Sequence, residues 1–185
     1  MNLYKPIRPR GALGSVGRRG MKKGKAIFLW GILTSSLFLA IPAEAADQEE
    51  IPKNIKIYCE LVGKEFNICP ELLESMAYHE SRFQADAKNG KHYGLLQVNV
   101  KVHKDRIAKY GYTEDDMLSA YPNILVAADY LSELYETYGD DNPIVLGYYS
   151  GNTKAVEAYK ENGFLCEYVN DVLTRSAELE RIHGR

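Results

Sequence analysis

Residues 70–97 read PELLESMAYHESRFQADAKNGKHYGLLQ. Pro70 suits the first turn of a helix, where its missing N–H costs nothing. Leu72, Leu73, Met76 and Ala77 then recur at helical spacing, and Glu80 falls on the same stripe, three and four residues after Ala77 and Met76. A carboxylate there is anomalous, because an unpaired Glu is almost never fully inside a protein. Either it pairs with a cation, or it lines a cleft. Arg82 is too near in sequence to face it, whereas Lys88 or Lys91 would have to loop back. Poor solvation in a cleft raises a carboxyl pKa and keeps its proton available near neutral pH, as a general acid requires. Periodicity stops at Phe83, Asn89-Gly90 signals a turn, and a short apolar segment, Leu95 to Val98, follows.

Working outward, the pattern stays helical. Ile55, Tyr58, Cys59, Val62 and Phe66 form an amphipathic stripe with Asn54 as its expected N-cap. Downstream, Lys104–Tyr110 reads as a short helix, and Thr113 with Asp116 as an acidic capping box. Asn123 is expected to open the longest helix, carrying Ile124, Ala127, Ala128, Leu131, Leu134, Tyr135 and Tyr138. Further helices are expected over Ile144–Tyr149 and Thr153–Tyr159, and a last one carries Val169, Val172, Leu173 and Leu179. No stretch alternates with period two for more than a few residues, so nothing larger than a small β-hairpin is expected. The fold class is mainly α.

The chain has 185 residues and a formal net charge of −2. That average hides a split. Residues 1–45 hold eight basic residues and one acid, whereas residues 46–185 hold fifteen basic and twenty-four acidic residues, a net of −9. So acidic a body excludes nucleic acid as the main partner, because phosphate neutralisation needs a basic face. From Met21, three lysines precede an apolar run, Ala26 to Ile41, and then Pro42 and the triplet Ala43-Glu44-Ala45. These are the three zones of a secretory signal, with cleavage expected after Ala45. Residues 1–20 then read as a misassigned upstream start or a long basic lead-in. The mature domain is residues 46–185, exported to the cell wall or beyond. The run 26–41 is shorter than the ~20 residues of a usual membrane span, and its retention as an anchor stays open.

Cys59, Cys69 and Cys166 read first as three small buried side chains, although an exported protein can close one disulfide and leave a thiol over. His79, His92 and His103 lack metal-ligand spacing, so neither metal nor cofactor is expected.

The segments Glu80-Ser81-Arg82-Phe83, Gly94-Leu95-Leu96-Gln97-Val98-Asn99 and Tyr149-Ser150-Gly151, in this order and spacing, resemble the soluble lytic transglycosylases, lysozyme-like glycosidases of family 23. The resemblance covers roughly residues 69–176. It implies a lysozyme-like helical domain, peptidoglycan glycan strands as partner, and Glu80 as the catalytic acid. It further implies that Ser81 ends the acid's helix, Gln97 contacts sugar or the acid, Tyr149 lies beside the carboxyl, and Tyr168 supplies the last helix's tyrosine. Ser81 reads equally as a residue satisfying a helix end. Two departures stand out: Ser150 replaces the family's asparagine after the tyrosine, and Lys88–Tyr93 replaces a Ser-Pro-x-Gly stretch, with Asn89 near that serine.

Most glycosidases need two carboxylates. A lytic transglycosylase manages with one, closing a 1,6-anhydro ring with the sugar's own hydroxyl, and no second acid sits in a motif-like setting here. Asp86 is the candidate base if the protein is instead a lysozyme-type hydrolase. A non-catalytic wall binder, or a part of an envelope complex, is the reading from another class. A monomer is expected. Because peptidoglycan is itself anionic, a net of −9 calls for a locally less acidic cleft, with Lys88, Lys91, Lys101 and Lys104 expected near it.

Overall fold

A computed structural model describes residues 50–185. The signal and lead-in expected over residues 1–45 lie outside the described residues.

The chain opens with α1 (Lys53–Phe66), whose buried stripe is Ile55, Cys59, Val62 and Gly63. Asn54 does not cap it. The cap position lies two residues earlier, at Pro52, whose carbonyl accepts from the Lys56 N–H at 3.1 Å. Asn67 ends it in a left-handed conformation, φ 54°, a geometry asparagine tolerates. Next comes α2 (Pro70–Ser81), with Pro70 in its first turn as expected. It is flanked by α1 on one side and by α7 (Glu167–His183) on another. Pro70 through Ala77 are therefore all buried, including Glu71, Glu74 and Ser75. Ser75 settles its burial by donating to the Val172 carbonyl of α7 at 2.7 Å. Truncating a fully buried Leu72 or Leu73 in such a helix costs about 2–5 kcal/mol.

After α2 the chain forms three two-residue antiparallel strands, β1 (Lys88–Asn89), β2 (His92–Tyr93) and β3 (Val98–Asn99), in spatial order β1-β2-β3. The Asn89-Gly90 turn joins the first two, and Asn89 pairs with His92. The expected hairpin thus acquires a third strand, because His92 also pairs with Asn99. Two residues are too few to show alternation.

The remaining elements are α3 (Lys104–Lys109), a 3-10 turn at Asp115–Leu118, α4 (Ala120–Tyr138), α5 (Asn142–Tyr149) and α6 (Thr153–Asn162). Thr113 and Asp116 form only half of the expected capping box: Asp116 Oδ2 accepts from the Thr113 N–H and hydroxyl at 2.7 Å each, while Glu114 holds the cap position of the 3-10 turn without a side-chain bond. α4 packs on α1 and α5, and α5 on α6. α4 begins three residues before Asn123, so that residue does not open the helix but is fully buried within it. All three cysteines are free: Cys59 is buried, Cys69 and Cys166 are half-buried, and Cys69 donates to Glu71 Oε2 at 3.1 Å. No helix among the described residues is long and apolar enough to cross a membrane.

Candidate active site

The last turn of α2 brings Glu80 to the protein's edge, where the helix stops abruptly. Arg82 and Phe83 both take positive φ, 53° and 60°. Two successive non-glycine residues in that region store strain, which the surrounding packing must hold. Phe83 remains buried, and Tyr78 is clamped between the guanidinium groups of Arg82 and Arg175, 4.0 and 3.9 Å from its ring centre.

Glu80 is half-buried, and Tyr168, reaching across from the first turn of α7, donates to its Oε1 at 2.7 Å. Burial lifts the Glu80 carboxyl above the ordinary carboxylate range, and the Tyr168 bond offsets part of that lift. The phenols of Tyr149 and Tyr168 are in turn pushed well up, first by burial and then by the Glu80 charge. Both tyrosines therefore remain neutral donors around one carboxyl. The edge of the His79 ring rests against Tyr168, 6.2 Å between centres.

The segment Gly94–Gln97 forms the opposite wall, and its backbone is held carbonyl by carbonyl. Gln97 Nε2 donates to the Gly94 carbonyl at 2.8 Å, the Ser81 hydroxyl to that of Leu95 at 2.8 Å, and the Tyr149 hydroxyl to that of Leu96 at 2.7 Å. A fourth tie comes from Asn123, whose Oδ1 accepts the Leu96 N–H at 2.7 Å. Its Nδ2 donates to the Tyr93 and Met117 carbonyls, both at 2.8 Å. Gly94 completes this knot: a Cβ there would sit 1.9 Å from the Met117 carbonyl oxygen. Gln97 carries the strain, with φ 48°.

All five residues expected at the site are thus on its walls, but their bonds differ from expectation. Tyr168 is the one bonded to the Glu80 carboxyl; Tyr149 and Ser81 donate to the facing Leu96 and Leu95 carbonyls, and Gln97 donates within its own segment, to Gly94. Ser81 behaves as a helix-end tie, the structural half of its reading. Ser150 likewise donates to its own helix, at the Gly147 carbonyl. Asp86 lies exposed in the turn before β1.

A groove of about 200 Å³ opens from Gln97 and Tyr149. Its floor is aromatic: Tyr149 and Tyr130 are 5.7 Å apart between ring centres, and Tyr130 and His103 4.4 Å. None of its lining residues is Asp, Glu, Lys or Arg. The four lysines expected near the cleft are not among the residues that line this groove, although Lys91, Lys101 and Lys104 adjoin lining residues along the chain. Lys101 is paired with Glu114 at 2.7 Å, and Lys88 sits 4.4 Å over the Tyr93 ring. Among the described residues no cluster of His, Cys, Asp and Glu suits a metal ion.

Sequence reasoning missed Asn123, Tyr130 and His103. Asn123 left a signal, an amide immediately before the apolar run Ile124–Ala128; the other two are recognisable only from the fold.

Comparison with known proteins bears on the fold and the family. Residues 58–168 match the transglycosylase SLT domain family. Protein IpgF of Shigella flexneri is 32% identical over 120 residues, 61% of this chain and 74% of that protein. An X polypeptide of Escherichia coli K12 is 29% identical over 120 residues, 61% of this chain and 68% of its own. The fold matches the solved structure of an inactive mutant of the lytic transglycosylase Slt from Pseudomonas aeruginosa, with a TM-score of 0.62 and 18% identity. That match covers 72% of this chain and 25% of that one. With its helical fold, its glutamate at the end of α2 and a family match over more than half its length, the chain belongs to the transglycosylase SLT domain family and is an enzyme of the lytic transglycosylase type.

Proposed function

We propose that the protein is an exported enzyme that cleaves the MurNAc–GlcNAc β-1,4 bond of peptidoglycan and leaves a 1,6-anhydro-MurNAc end. Glu80 serves first as acid and then as base. The observation that carries this reading is the Glu80 carboxyl itself, lifted above the ordinary range by burial and bonded by one neutral tyrosine, beside a groove without a carboxylate.

Glu80, protonated, gives its proton to the linking oxygen as the glycosidic bond breaks. The substrate's own N-acetyl group supports the electron-poor anomeric carbon, so no second carboxylate is required. Glu80, now ionised, accepts the hydrogen bond of Tyr168. It then takes the proton of the sugar's 6-hydroxyl as that oxygen closes on the anomeric carbon. Both partners of this attack belong to one molecule, and proximity replaces an activated water. Gln97 and Tyr149, fixed to the Gly94–Gln97 backbone, present a rigid wall to the sugar. Export rests on the charged, apolar and small-residue zones of residues 21–45, and a secreted chain beginning at Ala46 is the expected product.

The test is mass spectrometry of glycans released from purified cell wall by the wild type and by Glu80→Gln. The Slt mutant described as inactive is likewise a glutamate-to-glutamine change. Anhydro-muramyl ends that disappear in the variant are expected, with a rate loss of about a thousandfold or more. Reducing ends would make the enzyme a hydrolase and direct attention to Asp86. No release by either protein would make it a wall-binding domain.

A further inference from the structure

In a body with nine more acids than bases, an arginine has carboxylates to choose from. Arg106 is held by Asp129 and Glu133, and Arg185 by Glu60 at 2.8 Å. Arg82 and Arg175 depart from that pattern. Their guanidinium carbons lie 4.0 and 3.9 Å from the centre of the Tyr78 ring, and among the described residues neither side chain enters an ion pair or a hydrogen bond. Arg175 Nε is buried without a partner. Two like charges are thus kept no further apart than the sum of those two distances, and no carboxylate among the described residues pairs with either.

The stack is built into the fold. Phe83, buried in the core, backs the Tyr78 ring at 5.7 Å between centres. Arg82 is exposed at the end of α2, two residues after Glu80, and Arg175 is half-buried on α7, seven residues after Tyr168. A cation against a ring is held by the π-system and keeps its planar fork of N–H donors unspent. That fork matches a carboxylate in shape as well as in charge. The stack also adjoins the acid. Tyr78 meets the edge of His79 at 5.7 Å, His79 meets Tyr168 at 6.2 Å, and Tyr168 bonds Glu80. The groove adjoins the same carboxyl through a different residue, Tyr149. Asp171 of α7 is the acid that faces His79 here, but it accepts from Asn170 at 3.3 Å and bonds neither guanidinium.

Resting on the glycan-cleaving reading above, we propose that the Arg82–Tyr78–Arg175 stack is a carboxylate-binding site for the peptide carried by a muramyl residue of the strand. Arg82 offers the accessible fork, and Arg175, fixed against the other neighbours of Tyr78, adds a second positive charge behind it. Tyr78 and Phe83 hold both in place, so little side-chain freedom is lost when the carboxylate arrives. The consequence is a preference for peptide-bearing glycan over glycan whose peptides are neutral or absent. It operates at contact distance, shorter than the Debye length of about 8 Å at 0.15 M salt.

The experiment measures affinity, not turnover, in the full-length Glu80→Gln protein. Three forms of one tetrasaccharide of alternating GlcNAc and MurNAc are titrated calorimetrically: with peptides bearing free carboxylates, with the same peptides amidated, and without peptides. The expected result is that the first binds roughly five- to tenfold more tightly than the second. The third, whose lactyl groups are then free acids, follows the second. In Glu80→Gln/Arg82→Gln/Arg175→Gln the preference falls below about twofold, while the amidated form binds as it does to the parent. Loss of cation–π packing alone would weaken all three forms together and leave their ratios unmoved. Should that variant lose the amidated form as well, Glu80→Gln/Arg82→Gln, whose added change is at an exposed side chain, decides by the same ratio. Equal binding of the free and amidated forms by the parent, or an undiminished ratio in the arginine variants, overturns the proposal alone. So does a peptide-free form that binds as tightly as the first, because the lactyl group would then be the anion read. Failure of the parent to bind any form overturns the glycan-cleaving reading beneath it.

Discussion

Tyr168 and Glu80 form the one direct side-chain pair of the site, a 2.7 Å bond between a phenol and a carboxylate oxygen. A donor of this kind favours the ionised carboxylate, whereas burial favours the protonated one, and for Glu80 burial wins. The first chemical step needs the protonated form, so the rate must fall as pH rises through the Glu80 pKa. Tyr168→Phe removes the opposing influence while leaving the ring against His79. The Glu80 pKa then rises further, and the alkaline limb of the kcat profile moves to higher pH, by about one unit for a hydrogen bond to a charged group. A pH–kcat profile of the variant checks this. An unmoved limb would mean that the phenol leaves Glu80 when substrate binds. The positive φ values at Arg82, Phe83 and Gln97 belong to this scale too, because strained residues flank the carboxyl on both walls.

Helix α2 carries three glutamates in three environments, and only one was legible in the sequence. Glu80 stood out because it continued an apolar stripe to the helix end. Glu71 and Glu74 lie off that stripe and carry no signal of burial, since a stripe is counted from apolar residues and cannot reveal that α1 and α7 cover the other sides. Glu71 is satisfied by His183 Nδ1 at 2.8 Å and by Arg185, and these partners hold it below the ordinary range despite its burial. Glu74 is 1% exposed, neither of its oxygens has a hydrogen-bond partner, and burial together with the Glu71 charge pushes it up to about 7. Its contribution is thus fully present below about pH 4.5 and is lost as pH rises through 7, up to about 3 kcal/mol. Glu71 acts in the opposite sense, and only at lower pH, as its carboxylate protonates. In Glu74→Gln the fall in stability between about pH 4.5 and 7 should disappear, as urea unfolding across that range would show; a parallel curve would mean that Glu74 has found a partner. The remaining misreadings have the same origin. The helices are legible from apolar spacing, but Asn123 reads as the residue that opens its helix, because nothing local shows that Tyr93, Leu96 and Met117 converge on it. The third strand was hidden because its pairing is tertiary.

The whole molecule sets an acidic body against an anionic substrate, and the sign of the resulting field is testable. Residues 46–185 carry nine more acids than bases, while the groove itself carries neither. Repulsion therefore acts during approach, over distances that salt controls, and not at the contact surface. The Debye length shrinks from about 30 Å at 0.01 M salt to about 8 Å at 0.15 M, so the body's field reaches across the whole domain in the first case and barely past its surface in the second. Initial rates on intact cell wall should consequently rise severalfold over that salt range, the reverse of a cationic wall enzyme. The lysines first expected to guide the substrate would give the opposite trend, but Lys101 is neutralised by Glu114 and Lys88 covers Tyr93. A rate that falls with salt would show that Lys91 and Lys104 steer the glycan after all.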